Sequence, residues 1–430
     1  MADSTERQNN QNRRKKNHDY LWKFYAYTGI AGLAFGLFTP VLSLFLLDRG
    51  YNLAGIGVIS GVINFSRFAL EVPTGIVADK FSRKWSVSLG LIFQAISLFF
   101  FVTTTNFLVL IGGPIFFAVG MTLNSGADSA LLYDSLKSDG REAAFHKSIG
   151  NAISLRLAGI VAGNLLCGIC IRYVGLSAPL WAGSVIYLLV ATLPAMIREP
   201  SLLQESRSKG KALTLKDQVS SYSRHVKESF RFIRGSSALI FLIFINAVFV
   251  RMLVQLQFEF AQPYLKSLAY SPEQISYLFA IFFVISALLA KFSATVKKYL
   301  GDKERRVFLL IVLVGAASLC AYANAPIGLV AVLAVIGLNL ARGIFLPFIQ
   351  DSLNRRIPSD KRASCLSLAS AGQALLGVIS PPLFLHLADV FSLKTSLIIF
   401  QWTFFSLLLV GVIWGWKALG KAPESETVAQ

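Results

Sequence analysis

The residues best suited to chemistry in this chain are charged and amide groups set inside long apolar runs. Arg67 and Glu71 stand one helical turn apart in GVINFSRFALEVP, and Asn124 and Asp128 repeat that spacing. Arg156 and Asn164 share one run, Asn339 and Arg342 another. The longest series is Arg251, Gln255, Glu259 and Gln262, which at 100° per residue falls within about 80° of arc. Ionisable groups at membrane depth are costly unless they face protein or water, so they mark solute or ion paths. Arginine adds two-pronged recognition of carboxylate or phosphate. An acid held between burial and a nearby cation can load and unload a proton. Glu71 and Asp128 occupy such positions, and His386 is a further candidate beside its ordinary reading as a core histidine. Plainer readings stand next to these. Arg67 and Glu71 can pair with each other, and the 251–262 series can be an interhelical hydrogen-bond seam instead of a cavity lining.

The composition says what must position these groups. Of 430 residues, 54% are hydrophobic and only 15% charged, whereas soluble domains carry about 25% charged residues. No soluble core can hide that much apolar sequence, which excludes a soluble enzyme, a disordered chain and a disulfide scaffold and leaves a polytopic membrane protein. Cys167, Cys170, Cys320 and Cys365 all lie in or beside apolar runs, and the four histidines are scattered. That pattern gives no metal site, and Cys167 and Cys170 read as small apolar residues of a lipid-embedded helix. The first 20 residues are polar, with Arg13, Arg14, Lys15 and Lys16 in a row, so they do not read as a cleaved leader.

Twelve apolar spans are expected, at 22–47, 54–77, 85–104, 107–133, 149–172, 178–197, 237–264, 273–296, 307–324, 326–350, 364–388 and 394–416. Each is long enough for a hydrocarbon core about 30 Å thick. With both termini on one side, the opposite loops hold only Arg49, Arg172, Lys266 and Lys394 as cations. Lys23, Arg67, Arg156, Arg251, Lys291 and Arg342 fall within spans, and the rest of the 41 Lys+Arg crowd the terminal side. This asymmetry places both termini in the cytoplasm of a cell (inner) membrane protein and accounts for the +18 charge without nucleic acid.

The chain also repeats itself. Asp134-Ser135-Leu136 closes span four and Asp351-Ser352-Leu353 closes span ten. Asp79-Lys80 with Arg83 and Lys84 follows span two, and Asp302-Lys303 with Arg305 and Arg306 follows span eight. Two parallel six-helix halves, 22–197 and 237–416, are expected around a basic linker at 198–236, with tails at 1–21 and 417–430.

Residues 71–84, EVPTGIVADKFSRK, resemble the loop 2–3 signature of the major facilitator superfamily at Gly75, Ala78, Asp79, Lys80, Arg83 and Lys84; Ser82 stands where that family has a second glycine. With twelve spans in two halves the resemblance covers the whole chain. It implies an all-α fold of two six-helix bundles around a central cavity, working as a monomer and rocking between inward-open and outward-open states. Independently of the family, Gly75 permits close helix approach, and Asp79 can pair with Arg83 or Lys84 or cap a facing helix. The alternative is a solvated inner loop. Other motifs are degraded. Thr122-Leu123-Asn124-Ser125-Gly126 lacks the arginine that drug exporters carry four residues before the glycine. Gly163-Asn164-Leu165-Leu166-Cys167-Gly168 lacks the proline and one glycine of the exporter element in span five. SGADSALLYDSL and DSLNRRIPSDKRASCLSLAS look like a broad bacterial branch often labelled efflux.

The expected function is secondary transport of a small organic solute, driven by protons and directed outward, with uptake by symport as the alternative. No ATP-binding signature or cofactor motif is present, and the partners are the solute, protons and the lipid bilayer. Among the span residues, cations outnumber acids once Lys23 and Lys291 are set aside as interfacial: Arg67, Arg156, Arg251 and Arg342 against Glu71, Asp128 and Glu259. That excess favours anionic solutes. The substrate cavity is assigned to Arg67, Asn124, Arg156, Asn164, Arg251, Gln255, Glu259 and Arg342, the gate to Gly75, Asp79, Arg83 and Lys84. A membrane-embedded transferase would need a catalytic His/Asp/Glu cluster or a sizeable soluble domain, and neither is present. A transport-inactive receptor would be indifferent to neutralising Arg251 or Asp128.

Overall fold

The computed structural model describes residues 19–80, 82–197, 227–299, 304–358 and 361–418. Every regular element among them is helical. A hydrocarbon medium demands this, because a helix satisfies its backbone groups within one segment.

Span one is α1 (Asp19–Phe38) followed by α2 (Leu42–Asp48), span two is α3 (Leu53–Lys80) and span three is α4 (Arg83–Thr103). Span four comprises α5 (Phe107–Leu110), α6 (Gly112–Asn124) and α7 (Ala127–Ser138). Span five is α8 (Phe145–Tyr173), and span six is α9 (Ala178–Val190) with α10 (Thr192–Ala195). Span seven runs through α11 (Ser237–Gln255), a π-helical turn (Leu256–Phe260) and α12 (Ala261–Ser267). α13 (Pro272–Tyr299), α14 (Glu304–Ala323), α15 (Gly328–Arg356), α16 (Arg362–Val390) and α17 (Leu393–Ala418) complete the set. Among the described residues eleven of these runs are long and apolar enough to cross a membrane; the apolar part of α13, Pro272–Leu288, is shorter.

Helix starts follow local chemistry. Ser82 accepts from the Trp85 amide to cap α4, Asn106 accepts from the Leu108 amide at 2.9 Å, and Ser236 caps α11 through the Leu239 amide. What apolar periodicity did not reveal are the breaks inside spans. Span four is interrupted at Ser125-Gly126, where Gly126 takes φ +75°, a left-handed conformation natural only to glycine. Span seven is interrupted by the π turn.

The chain divides into two compact units, residues 1–39 with 69–212 and residues 40–68 with 213–430. In the first, α1 packs on α8, α4 on α6, and α9 on both α4 and α1. In the second, α11 packs on α16, α14 on α15, and α17 on both α14 and α11. The same pairing scheme thus recurs, spans one, three, four, five and six matching seven, nine, ten, eleven and twelve.

Glycine sets the closest approaches. A Cβ on Gly32 or Gly36 would strike the carbonyls of Arg156 or Ile160, and one on Gly159 or Gly163 those of Gly29 or Leu33. Gly159, together with Gly163 of the degraded exporter element noted above, therefore holds α8 backbone-to-backbone against α1. Large apolar side chains such as Leu188, Leu313, Ile379, Trp402 and Ile413 are exposed, as lipid-facing residues are.

Candidate functional site

In the first unit, polar groups gather around the break in span four. The Ser125 hydroxyl donates to Glu71 Oε1 at 3.1 Å. Asp128 lies in the first turn of α7, where its Oδ1 accepts from the Ser129 amide at 2.6 Å and where the positive end of a helix suits an acid. Arg156 of α8 is exposed at mid-span, and buried Tyr27 of α1 lies within electrostatic reach of both Asp128 and Arg156. The Tyr27 hydroxyl is without a hydrogen-bond partner. The unit thus brings Glu71 to Ser125 at the break and Asp128 within electrostatic reach of Arg156 and Tyr27, a grouping that spacing within single spans did not supply. Asn164 is fully buried in α8, with both amide atoms unpartnered. Asn124 closes α6 against Gly90 of α4. Arg67 is exposed on α3.

The loop 2–3 residues are partly visible. The α3 backbone is described through Lys80, but the surroundings of Gly75 and the side chain of Asp79 lie outside the described residues. Arg83 pairs with Asp134 of α7 and donates to the Ala130 carbonyl at 3.2 Å; Lys84 lies over the Trp85 ring. The sequence offered Asp79 as partner to Arg83 and did not single out Asp134 for that role. The second unit carries a pair between the corresponding helices with its signs exchanged: Arg356 of α15 donates to Glu304 of α14 at 2.6 and 3.1 Å, and Ser352 donates to the same carboxylate at 3.1 Å.

The second unit holds the larger polar cluster, built on span seven. Arg251, Gln255, Glu259 and Gln262 are all buried, with at most 5% of each exposed. Arg251 pairs with Glu259, eight residues on. In an uninterrupted helix these would stand about 80° apart. The π turn holds an extra residue, so each of its residues winds through a smaller angle and Glu259 swings back above Arg251. The Ser60 hydroxyl of α3 donates to the same Glu259 oxygen. Gln255 donates to the Ser380 carbonyl of α16 at 3.2 Å, and Gln262 Oε1 accepts from the Ser43 amide of α2 at 2.9 Å. In this structure the series is a seam of hydrogen bonds to neighbouring helices.

That seam continues into a contact of residues 40–68 with span eleven. Gly57 and Gly61 of α3 lie against Pro381 and Pro382 of α16 so closely that a Cβ on either would collide. The Asp389 carboxylate accepts from the Leu53 and Ala54 amides at 3.1 and 2.7 Å, capping α3 at its positive end. His386 is exposed on the same helix and is not a core histidine.

Arg342 stands apart. It lies at the midpoint of α15, and its Nη1 donates to Gln257 Oε1 at 2.6 Å. With Gln257 and Asn339 it lines a small cavity of about 10 Å³ walled by Leu253, Leu256, Val335 and Leu338, room for about one water. Sequence reasoning missed Ser60, Gln257, Ser380 and Asp389 as members of these clusters. The Gly57-x-x-x-Gly61 spacing was an available signal for a close helix contact in the first part of α3. No group of three or more His, Cys, Asp or Glu side chains that could hold a metal occurs among the described residues.

Known proteins supply the frame. The chain is similar to an uncharacterized MFS-type transporter, YxaM, of Bacillus subtilis (strain 168), 23% identical over 383 residues, 87% of this chain and 91% of that protein. It is 33% identical to the quinolone resistance protein NorA of Staphylococcus aureus over 78 residues, 18% of this chain and 20% of NorA. Among solved structures it resembles the nucleoside transporter NupG, with a TM-score of 0.74 at 14% identity, over 92% of this chain and 99% of that one. A bacterial homolog of the human lysosomal transporter Spinster, inward-facing and unoccupied, gives 0.73 at 14% identity over 94% and 97% of the two chains. At such identities these likenesses speak for the fold alone. The Major Facilitator Superfamily profile matches residues 24–338 and 239–429. This all-helical, multi-pass membrane chain therefore belongs to the Major Facilitator Superfamily.

Proposed function

We propose that the chain is a secondary active transporter that exports a small organic solute in exchange for protons by alternating access, with a preference for anionic solutes. It is not an enzyme, it works as a monomer, and its two halves, 22–197 and 237–416, rock about the solute path with both termini in the cytoplasm of the cell (inner) membrane. The observation that carries this reading is the buried polar seam of residues 40–68 against spans seven and eleven. Buried ionic and amide groups add little net stability, so a seam of Ser43, Ser60, Arg251, Gln255, Glu259 and Gln262, with Asp389 at its exposed edge, is suited to a contact that one state makes and the other breaks.

Proton coupling rests on Asp128 and Glu71 beside Arg156, and the local match to NorA supports the outward direction. Uptake by symport is the second reading, favoured by the fold-level likeness to NupG. Everted membrane vesicles separate them. With an imposed inside-acid gradient, antiport predicts solute accumulation inside everted vesicles and alkalinisation of the lumen. Accumulation only in right-side-out vesicles under an inward proton gradient establishes symport, and flux indifferent to the gradient removes proton coupling.

A further inference from the structure

We infer that Arg342, Gln257 and Asn339 form the head-group pocket for a monocarboxylate with an apolar body. The inference rests on reading the second unit's polar cluster as part of the solute path, and it names the chemistry of that part.

Other arginines of the described residues have a carboxylate at hand or within electrostatic reach: Arg251 has Glu259, Arg83 has Asp134, Arg355 has Asp351, Arg356 has Glu304, and Arg156 has Asp128. Arg342 is different. Its hydrogen-bond partner is the neutral Gln257, and no carboxylate among the described residues pairs with it. It stands fourteen residues from Gly328 and fourteen from Arg356, at the middle of α15, where an unbalanced charge is most costly. An anion that binds there supplies the missing charge.

The neighbouring groups specify which anion. Gln257 and Asn339 are 4% and 3% exposed. Gln257 Nε2 has no acceptor and Asn339 Oδ1 has no donor, while Asn339 Nδ2 is spent on the Val335 carbonyl at 2.9 Å. The guanidinium and the Gln257 amide thus present donors to one oxyanion, and Asn339 offers an acceptor for a hydroxyl beside it. The rest of the wall is Leu253, Leu256, Val335 and Leu338. One cation balances one negative charge, so a phosphate dianion in this apolar wall would be left with an excess charge, whereas a monocarboxylate would not. Its apolar body would lie on the leucines. The cavity of about 10 Å³ is too small for such a solute, so entry requires these side chains to part, as they would when the access state changes.

The test measures binding to the purified full chain and needs no flux. Thermal unfolding in detergent is followed with benzoate, salicylate, benzamide and inorganic phosphate, each at about 20 mM, on the wild type and on Arg342→Gln and Arg342→Lys. Benzoate and salicylate should raise the wild-type midpoint by about 1 °C or more, salicylate more strongly because its hydroxyl can donate to Asn339. Benzamide and phosphate should not. Arg342→Gln should lose the response, Arg342→Lys should weaken it, and unliganded Arg342→Gln should melt at or above the wild type because an unbalanced buried charge has gone. The inference is overturned if benzamide matches benzoate, if Arg342→Gln keeps the shift, or if neither carboxylate shifts the wild type. It is equally overturned if Arg342→Gln melts well below the wild type or does not fold, since the arginine is then structural. Specific binding without flux in vesicles would leave the pocket standing and remove the transport reading instead.

Discussion

Arg251 and Glu259 neutralise each other in a place where neither could stand alone. Removing one partner of a buried pair leaves the other uncompensated, at a cost of about 3–5 kcal/mol. Arg251→Ala should therefore lower the unfolding midpoint markedly, and the apolar double replacement Arg251→Met with Glu259→Leu should recover it. Neither protein should transport, because the seam has lost the groups that exchange partners. A double variant that melts like the wild type and also transports would assign the pair a purely structural role. In the first unit Asp128 has Arg156 and Tyr27 within reach and sits beside the helix break. Asp128→Asn should leave solute binding in place while flattening the dependence of flux on pH; an unchanged pH profile would move the proton to Glu71 or another group. The polar series on span seven was legible because period 3.6 is written into the order of residues. The partners Ser60, Ser380 and Gln257 were not, since a hydroxyl or amide in an apolar run acquires a role only from what faces it, and the extra residue of the π turn changes which residues share a face.

At the scale of elements, the span limits were legible to within a few residues because length and hydropathy are dictated by the bilayer. The break at Ser125-Gly126 was hidden because its residues are as small as others in the flanking helices, and the one at Leu256–Phe260 because its polar residues continue the period of the helix before it. The exporter-like glycines of span five were visible as residues, but their partner helix was not. The structure gives them α1, with Gly159 meeting Gly29 and Gly163 meeting Gly36. Gly159→Leu should separate two helices in backbone contact and abolish folded, inserted protein or lower its unfolding midpoint sharply, by roughly 1–3 kcal/mol or more. Gly150→Ala, on the same helix with nothing within 4 Å, is the control and should be neutral or mildly stabilising. Comparable loss in both would mean that helix propensity, and not close packing, governs α8.

At the scale of the molecule, the pairing scheme of the helices recurs in the two units, and the repeated Asp-Ser-Leu at Asp134 and Asp351 was its trace in the sequence. The trace stops short of the ion pairs, which use Arg83 with Asp134 in one unit and Glu304 with Arg356 in the other. Nothing in the order of residues announced that 40–68 would seat on spans seven and eleven, because a contact between segments so far apart in the chain leaves no mark in local spacing. Asp389 tests the weight of the contact. Its carboxylate accepts from two amides at the start of α3, so Asp389→Asn should loosen that end of the seam without unfolding the protein. The expected readout is faster labelling of Gln255→Cys by a water-soluble thiol reagent; unchanged labelling would show that the cap does not hold the seam shut.

The measurement that bears most directly on alternating access is a reversible bridge across the same seam. In a chain whose native Cys167, Cys170, Cys320 and Cys365 have been replaced, Ser43→Cys and Gln262→Cys are joined by a short bifunctional methanethiosulfonate in reconstituted vesicles. Bridging should stop flux almost completely, and reductant should restore it, because a contact that must open once per cycle has been tied. Bridged protein that transports at the unbridged rate would show that this seam never opens, and the account would fail.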